Sequence, residues 1–536
     1  MKSTKKLLSI TNLKKYFPVA KSSIFQREQF YVRANEDISL DIYEGETLGI
    51  VGESGCGKST LGRVLLQLYP QTAGSTVYYG STLDDMTPLY VQDTLKHYGK
   101  YCKKLAKADA KAKELEKKLE SVGGEEKADF LLLQSLNLAQ CERQTCQSNI
   151  VKILGGFHGY DPEGRGRALL LDRYKINVER NRIAAKKKDV DIVIDHLISA
   201  ENAAKTVKKQ ALLTRKSEAL GRQLDALNSK MADHDRQLDA LRASYAGNAG
   251  FDMYEPMRDN GIDLARLKYR EMRILRKDLQ IIFQDPYSSL NPRFTIGQII
   301  EEGLITHKFY RQGSQKMRDH VVNTMKECGL QEYMLFRYPH QFSGGQRQRI
   351  SIARALAVQP KFVVCDECVS ALDVSIQSQI INLLQELREK ENLTYMFISH
   401  DLSVVRFISD RICVMYLGNV VELASAQTVF EDPRHPYTVA LLSSIPTTDP
   451  ESLTKERIIL EGNIPSPIKP PAGCKFHTRC YMACDKCKRV PPPLTEIEPG
   501  HFVACHFPER KLDENGNYLF ELPKTERKSN RQATAE

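Results

Sequence analysis

The stretch IVGESGCGKSTLGR, residues 50–63, carries the spacing G-x-x-x-x-G-K-[ST] from Gly52 to Ser59. Glycine-rich loops of this kind let backbone N–H groups approach phosphate oxygens closely, and the terminal lysine and hydroxyl add a positive charge and a metal ligand. Context makes the match specific. Upstream, DISLDIYEGETLGIV at 37–51 alternates like a half-buried strand, turns at Glu44-Gly45 and enters a short apolar strand; downstream, STLGRVLLQLY from Ser59 has helical spacing. Strand, loop and helix N-terminus together make an anion cradle. Gly52, Ser54, Gly55, Gly57, Lys58, Ser59 and Thr60 are therefore the expected phosphate contacts, with Lys58 on the β- and γ-phosphates of a nucleotide and Ser59 on magnesium.

The remaining pieces of such a site lie far along the chain. SGGQRQRISIARALAVQP at 343–360 is a glycine turn entering a helix that Pro360 ends. KFVVCDECVSALDVS at 361–375 supplies an apolar strand ending in Asp366 and Glu367, and TYMFISH at 394–400 supplies another ending at His400. Phosphoryl transfer is mostly positioning and charge stabilisation. Asp366 is placed to hold magnesium through its water shell, and Glu367 to orient or deprotonate the attacking water.

What separates the two halves reads as an insertion. STVYYG at 75–80 and IDLARL at 262–267 join into a continuous strand-turn-helix passage once the residues between them are set aside. Inside, Leu105, Ala108, Ala112, Leu115, Leu119 and Val122 form a heptad seam, and Leu213, Leu220, Leu224, Leu227, Met231, His234, Leu238 and Leu241 form a second, broken only at Ser217. Two such helices predict one antiparallel coiled-coil hairpin, the second helix reaching roughly 60 Å if it begins near Ala200. With its ends at Gly80 and Gly261, that hairpin is expected to project without disturbing the phosphate loop. His234 on the seam reads as a tolerated polar residue of the core.

Composition sets the outer bounds. The 536 residues exceed one ordinary domain, and 41% apolar content allows well-filled cores. The net charge of +10 comes from 77 basic and 67 acidic residues that are interspersed, which reads as a solvated surface rather than a nucleic-acid face. Nothing approaches the run of about 20 apolar residues that crosses a bilayer, and the basic N-terminus has too short an apolar patch for a signal peptide, so a cytosolic location is expected. Thirteen cysteines then argue for reduced thiols, not a disulfide framework. Four of them, Cys474, Cys480, Cys487 and Cys505, follow C-x5-C-x6-C-x17-C, a thiolate set that suits zinc or an iron–sulfur cluster, and the spacing leaves both open.

The glycine loop, Gln284, SGGQ at 343–346, CDE at 365–367, SALD at 370–373 and His400 occur in the order of an ABC ATPase, which this chain resembles. That resemblance implies two cassettes clasping ATP head to tail. Ser343, Gly344, Gly345 and Gln346 would contact ATP held by the partner cassette, Gln284 would sense magnesium and couple to the transport subunits, Asp373 would lie at the dimer interface, and His400 would hold the γ-phosphate. Phe17, or its neighbour Tyr16, would stack on adenine. FQDPYSSLNPR at 283–293, YPHQFSGGQRQRI at 338–350, HPYTVALLSSIP at 435–446 and GNIPSPIKPPAGCKFHTRC at 462–480 are similar to the ATP-binding subunits of bacterial oligopeptide and dipeptide importers. The finer resemblance implies a heterodimer with a second ABC ATPase, two transmembrane permease subunits, an extracytoplasmic peptide-binding protein, and peripheral association with the cytoplasmic face of the plasma membrane, without nucleic acid. It also favours a [4Fe–4S] cluster over zinc at the four cysteines, with Cys484 extra. Two departures, Cys368 for the usual proline and Phe342 for the commoner leucine, remove no catalytic group.

The expected fold is thus α/β: a P-loop ABC ATPase cassette from 1–80 and 261–430, an inserted α-helical coiled-coil hairpin at 81–260, and a small Cys-rich C-terminal appendage at 431–536. The competing reading is a coiled-coil ABC ATPase of chromosome maintenance or repair acting on DNA. Placement argues against it, because in those proteins the coil follows the glutamine loop and here it precedes Gln284.

Overall fold

The computed structural model describes residues 5–20, 30–124, 130–199, 204–444, 458, 460–508, 511–512 and 518–519. Two long strands, β1 (Lys6–Pro18) and β2 (Tyr31–Tyr43), pair antiparallel, and Gly45, at φ 75, turns the chain into β3 (Thr47–Val51). Helix α1 (Lys58–Leu65) follows the glycine loop, and β4 (Ala73–Tyr78) returns to pair with β1.

The main sheet has β3 at its centre. Its parallel part runs β6 (Leu279–Ile282), β7 (Phe362–Asp366), β8 (Thr394–Ile398), β3, β9 (Arg411–Tyr416). Every residue of β3, β7 and β8 is buried, as strands covered on both faces require. The side chains alternate between two cores. Phe362, Val364, Met396 and Ile398 pack with α1 and the β1–β2 ribbon, whereas Val363, Cys365, Tyr395 and Phe397 pack with the helices that follow Gln284. Phe342 and Cys368, the two departures noted above, are both buried in the second core.

The chain beyond residue 430 does not stand apart from this sheet. β10 (Asn419–Ser425) runs antiparallel to β9, and the late strands β11 (Thr495–Glu498) and β12 (His501–Val503) extend the same sheet through β12–β10 pairing. Glu422 on β10 is fully buried and accepts hydrogen bonds from the backbone N–H groups of Arg434 and His435, with His501 Nε2 2.8 Å away.

Between β4 and the short strand β5 (Ile262–Asp263) the chain leaves the cassette and returns to it. The two ends meet as antiparallel neighbours, Tyr78 opposite Ile262 and Val77 opposite Asp263. The excursion holds four long helices: α2 (Tyr98–Val122), α3 (Phe130–Leu154), α4 (Arg165–Ser199) and α5 (Ala204–Tyr245). The seams were expected to close on each other; instead α2 packs chiefly on α3, and α5 on α4, giving two hairpins. Gln140 donates to Glu116 across the first (3.0 Å), and Ser217 donates to Asp191 across the second (2.5 Å), so the residue that breaks the seam makes a polar cross-link. His234 Nδ1 lies 3.0 Å from the Lys230 carbonyl oxygen one turn back.

The partner helices escaped the sequence reading because each is covered on two sides, which removes the single apolar stripe that marks a heptad. For α3 the second side is the cassette: it lies along β1, β2 and β4 instead of projecting away. For α4 it is the short helix Leu89–Lys96, on which it also packs, while its Asp189 and Asp195 make exposed pairs with Lys308 and Lys316 at 3.3 and 3.2 Å. The expectation of a hairpin independent of the cassette is therefore corrected. Among the described residues, no helix is long and apolar enough to cross a membrane.

Candidate functional site

The phosphate loop is shaped by glycines that no other residue could replace. Gly57 sits at φ 102, and a Cβ there would fall 2.1 Å from the Ala34 carbonyl oxygen; Gly52 sits at φ 147, 2.2 Å by the same measure from the Met415 carbonyl oxygen. The loop is thereby pressed between β2 and β9. Asn35, fully buried, donates to the Gly57 carbonyl at 3.1 Å. Lys58 is buried at the start of α1, its ammonium bonding the carbonyl oxygens of Gly52 (2.7 Å) and Glu53 (3.1 Å). It curls over the loop whose phosphates it is suited to bind.

Ser59, Asp366, Glu367, Gln284 and His400 come together from four elements. Ser59 Oγ donates to Asp366 Oδ1 at 2.5 Å, and Arg63 Nη2 lies 3.3 Å from Asp366 Oδ2. Asp366 is buried at the end of β7, so this hydroxyl–carboxylate pair has the donor chemistry a magnesium ion requires. Glu367 stands one residue beyond, with φ 49, a conformation unusual for a side-chain-bearing residue and frequent at functional sites. Its N–H bonds the Ile398 carbonyl at 3.0 Å, fixing it beside β8. Gln284 Nε2 donates to Glu367 Oε2 at 2.8 Å, and His400 Nδ1 lies 3.6 Å from the same oxygen.

The signature segment occupies a different element. Ser343 caps the helix α6 (Gly344–Leu356) in a reciprocal box, Gln346 N–H donating to Ser343 Oγ at 3.4 Å and Ser343 N–H to Gln346 Oε1 at 3.1 Å. Gly345 lies against Ile376, in the helix α7 (Val374–Glu391) that Asp373 begins, which places Gly344, Gly345 and Asp373 on one ridge. The two aromatic candidates diverge. Tyr16 donates to Glu36 at 2.8 Å, whereas Phe17 sits edge-on to Tyr69 with ring centroids 5.5 Å apart, under the Lys15 ammonium.

The family description "ABC transporter" matches residues 35–157 and 251–370, and "Oligopeptide/dipeptide transporter, C-terminal region" matches 421–487. This chain belongs to the ABC transporter family. As an ABC ATPase it binds and hydrolyses ATP. It is 50% identical over 269 residues to the oligopeptide transport ATP-binding protein AppF of Bacillus subtilis, covering 49% of this chain and 81% of that protein. It is 49% identical over 246 residues to the oligopeptide transport ATP-binding protein OppF of Haemophilus influenzae, covering 46% and 74%. A solved ATP-binding cassette dimer holding ADP and Pi aligns at 18% identity with a TM-score of 0.40, covering 78% of this chain and 99% of that one. The ABC match is interrupted between 157 and 251, so it includes residues 81–157 and 251–260 of the segment read above as inserted.

Several contacts of this ABC ATPase were not visible in its motifs. Arg479, within the Cys-rich turn, holds Glu53 of the phosphate loop, its Nη1 lying 2.8 and 3.1 Å from the two carboxylate oxygens, and Tyr437 Oη accepts from the Glu53 N–H at 2.8 Å. Lys475 bonds Glu36 (2.8 Å), the Leu417 carbonyl (3.0 Å) and Asn419. Burial pushes the Glu36 carboxyl up, but Lys475, Lys14 and Arg33 override it and hold it at about 2. A signal existed in HPYTVALL and CKFHTRC, yet only the fold shows that these segments reach the loop.

Cys474, Cys480, Cys487 and Cys505 line one small cavity of about 20 Å³ together with His435, Phe476 and His506. Burial pushes the Cys474 thiol up to about 11 and that of Cys480 to about 12. Cys484 lies outside this wall, its Sγ 3.7 Å from that of Cys487. Among the described residues, no three His, Cys, Asp or Glu side chains are arranged to hold a metal ion as they stand.

Proposed function

We propose that this chain is one of two ATP-hydrolysing subunits of an importer for oligopeptides or dipeptides. The observation that carries the reading is the C-terminal region of that transporter family, built into the cassette's own sheet and clamped to the phosphate loop through Arg479 and Glu53. The same match disfavours a DNA-acting ATPase.

In the proposed cycle, Lys58 turns from the Gly52 and Glu53 carbonyl oxygens to the β- and γ-phosphates as ATP enters. Ser59 and Asp366 would hold magnesium, which when bound neutralises charge on the transferring phosphate. Glu367 accepts a proton from the attacking water, held in place by Gln284 and His400. Gln284 thereby links the water-activating carboxylate to the segment following β6, the side from which transport subunits would be felt. Ser343, Gly344, Gly345, Gln346 and Asp373 would complete the site of a second, different cassette, and Phe17 would cover the adenine. The division into 1–80 plus 261–430, 81–260 and 431–536, the two permease subunits, the extracytoplasmic binding protein and peripheral attachment to the cytoplasmic membrane face belong to this same reading. The four cysteines line one cavity but are not arranged to hold a metal ion as they stand, so a [4Fe–4S] centre there would require them to rearrange around it; iron and acid-labile sulfide in anaerobically purified protein would test it.

The functional test is reconstitution of the chain with its partner cassette and permeases in vesicles. ATP-dependent peptide uptake that stops when this chain is omitted is expected. Full uptake without it would overturn the assignment.

A further inference from the structure

We infer that helix α3 of the inserted segment is a positioning element for the phosphate loop, acting through the β1–β2 ribbon. Four of its residues, Gln134, Asn137, Cys141 and Gln144, recur at helical spacing on one stripe, and each meets the ribbon. Gln134 accepts from Arg33 Nη2 (2.8 Å), Asn137 donates to Asp37 Oδ2 (3.1 Å), Cys141 lies 3.8 Å from the Asn12 carbonyl oxygen, and Gln144 accepts from Asn12 Nδ2 (2.8 Å). A cavity of about 260 Å³ beside Gln134 and Asn137 is closed by Tyr16, Arg33, Glu36 and Lys475, so the same corner also meets the C-terminal region.

The decisive feature is where the contacts fall on β2. Arg33 and Asp37 bracket Ala34 and Asn35, the two residues on which the phosphate loop rests. The Ala34 carbonyl is the atom that forbids a Cβ at Gly57, and Asn35 donates to the Gly57 carbonyl. Asp37 also pairs with the buried Lys14 of β1, so Asn137 completes a junction spanning both strands. A shift of α3 would be felt at Gly57 through one residue step from Arg33 to Ala34 and two from Asp37 to Asn35. Asn137 and Gln134 touch neither nucleotide nor reacting atoms; they are positioning residues.

The test is ATP affinity of the full chain, measured directly by equilibrium binding. Asn137→Asp sets a carboxylate against Asp37 and should raise the Kd for ATP by about fivefold, the low end of couplings between sites. Asn137→Gln instead keeps an amide donor on that face of α3 and leaves the Asp37–Lys14 pair intact. Asn137→Gln should hold Kd to within about twofold of the parent. Lys58→Ala is the control for the nucleotide assignment on which this rests: if it binds ATP normally, that assignment fails, not the positioning role. If Lys58→Ala abolishes binding while Asn137→Asp leaves Kd unchanged, or lowers only the melting temperature, or changes Kd no more than Asn137→Gln does, the inference is wrong.

Discussion

Replacing Arg479 by Met separates the C-terminal region from the phosphate loop while keeping the side chain's apolar stem. The Arg479 side chain is 8% exposed and that of Glu53 22%, and Arg479 Nη1 lies 2.8 and 3.1 Å from the two Glu53 carboxylate oxygens. Breaking a buried ion pair by removing one partner costs about 3–5 kcal/mol, because the remaining charge is stranded. Here Glu53 keeps some access to water, which recovers part of that penalty, so a loss of about 2–3 kcal/mol is expected. Replacing Glu53 as well, by Gln, should restore much of it, since a neutral amide tolerates the site without its partner. Denaturant unfolding of the full chain for the parent, both single variants and the double gives the coupling energy directly. ATP affinity measured on the same four proteins reports whether the loop itself is held by the pair. A coupling below about 0.5 kcal/mol with unchanged ATP affinity would place this contact among ordinary surface pairs and refute the claim that the C-terminal region braces the loop.

Two further predictions concern the same corner. Gly57→Ala should abolish ATP binding, since its Cβ would meet the Ala34 carbonyl oxygen at 2.1 Å in a backbone conformation of φ 102; retained affinity, by equilibrium binding, would mean the loop can re-form elsewhere. Glu36, held at about 2 against an ordinary 4.5, contributes stability that is fully present above pH about 4.5 and is lost as pH falls toward 2. That contribution amounts to about 3 kcal/mol. Unfolding free energies between pH 6 and 3 should therefore fall more steeply in the parent than in Glu36→Gln; parallel curves would contradict the assignment.

The cassette was legible because its motifs impose backbone geometry. Gly52 and Gly57 can be read from sequence alone since their φ values and close carbonyl neighbours exclude any side chain. Asp366 and Glu367 follow from the all-apolar run of β7. The segment between β4 and β5 was legible only in part. Leu105 to Val122 and Leu213 to Leu241 announce helices, but nothing in either seam names its partner, and α3 and α4 divide their apolar residues between two neighbours. Arg479 and Lys475 were invisible for a related reason: a single charged residue carries no period, and the contacts join positions hundreds of residues apart. Tyr16 and Phe17 show the same limit at short range, since adjacent residues on a strand point to opposite faces and sequence does not say which face the nucleotide meets.

In the proposed mechanism Glu367, poised by Gln284 and His400 one residue beyond β7, activates the water that cleaves ATP. The most direct measurement compares ATP turnover and ATP affinity in Glu367→Gln and in the parent, each assembled with the partner cassette and permeases. Turnover should fall by about 10²–10⁴-fold with ATP still bound at near-parental affinity, because the phosphate cradle at Lys58 and Ser59 is untouched. Turnover within about twofold of the parent would contradict it.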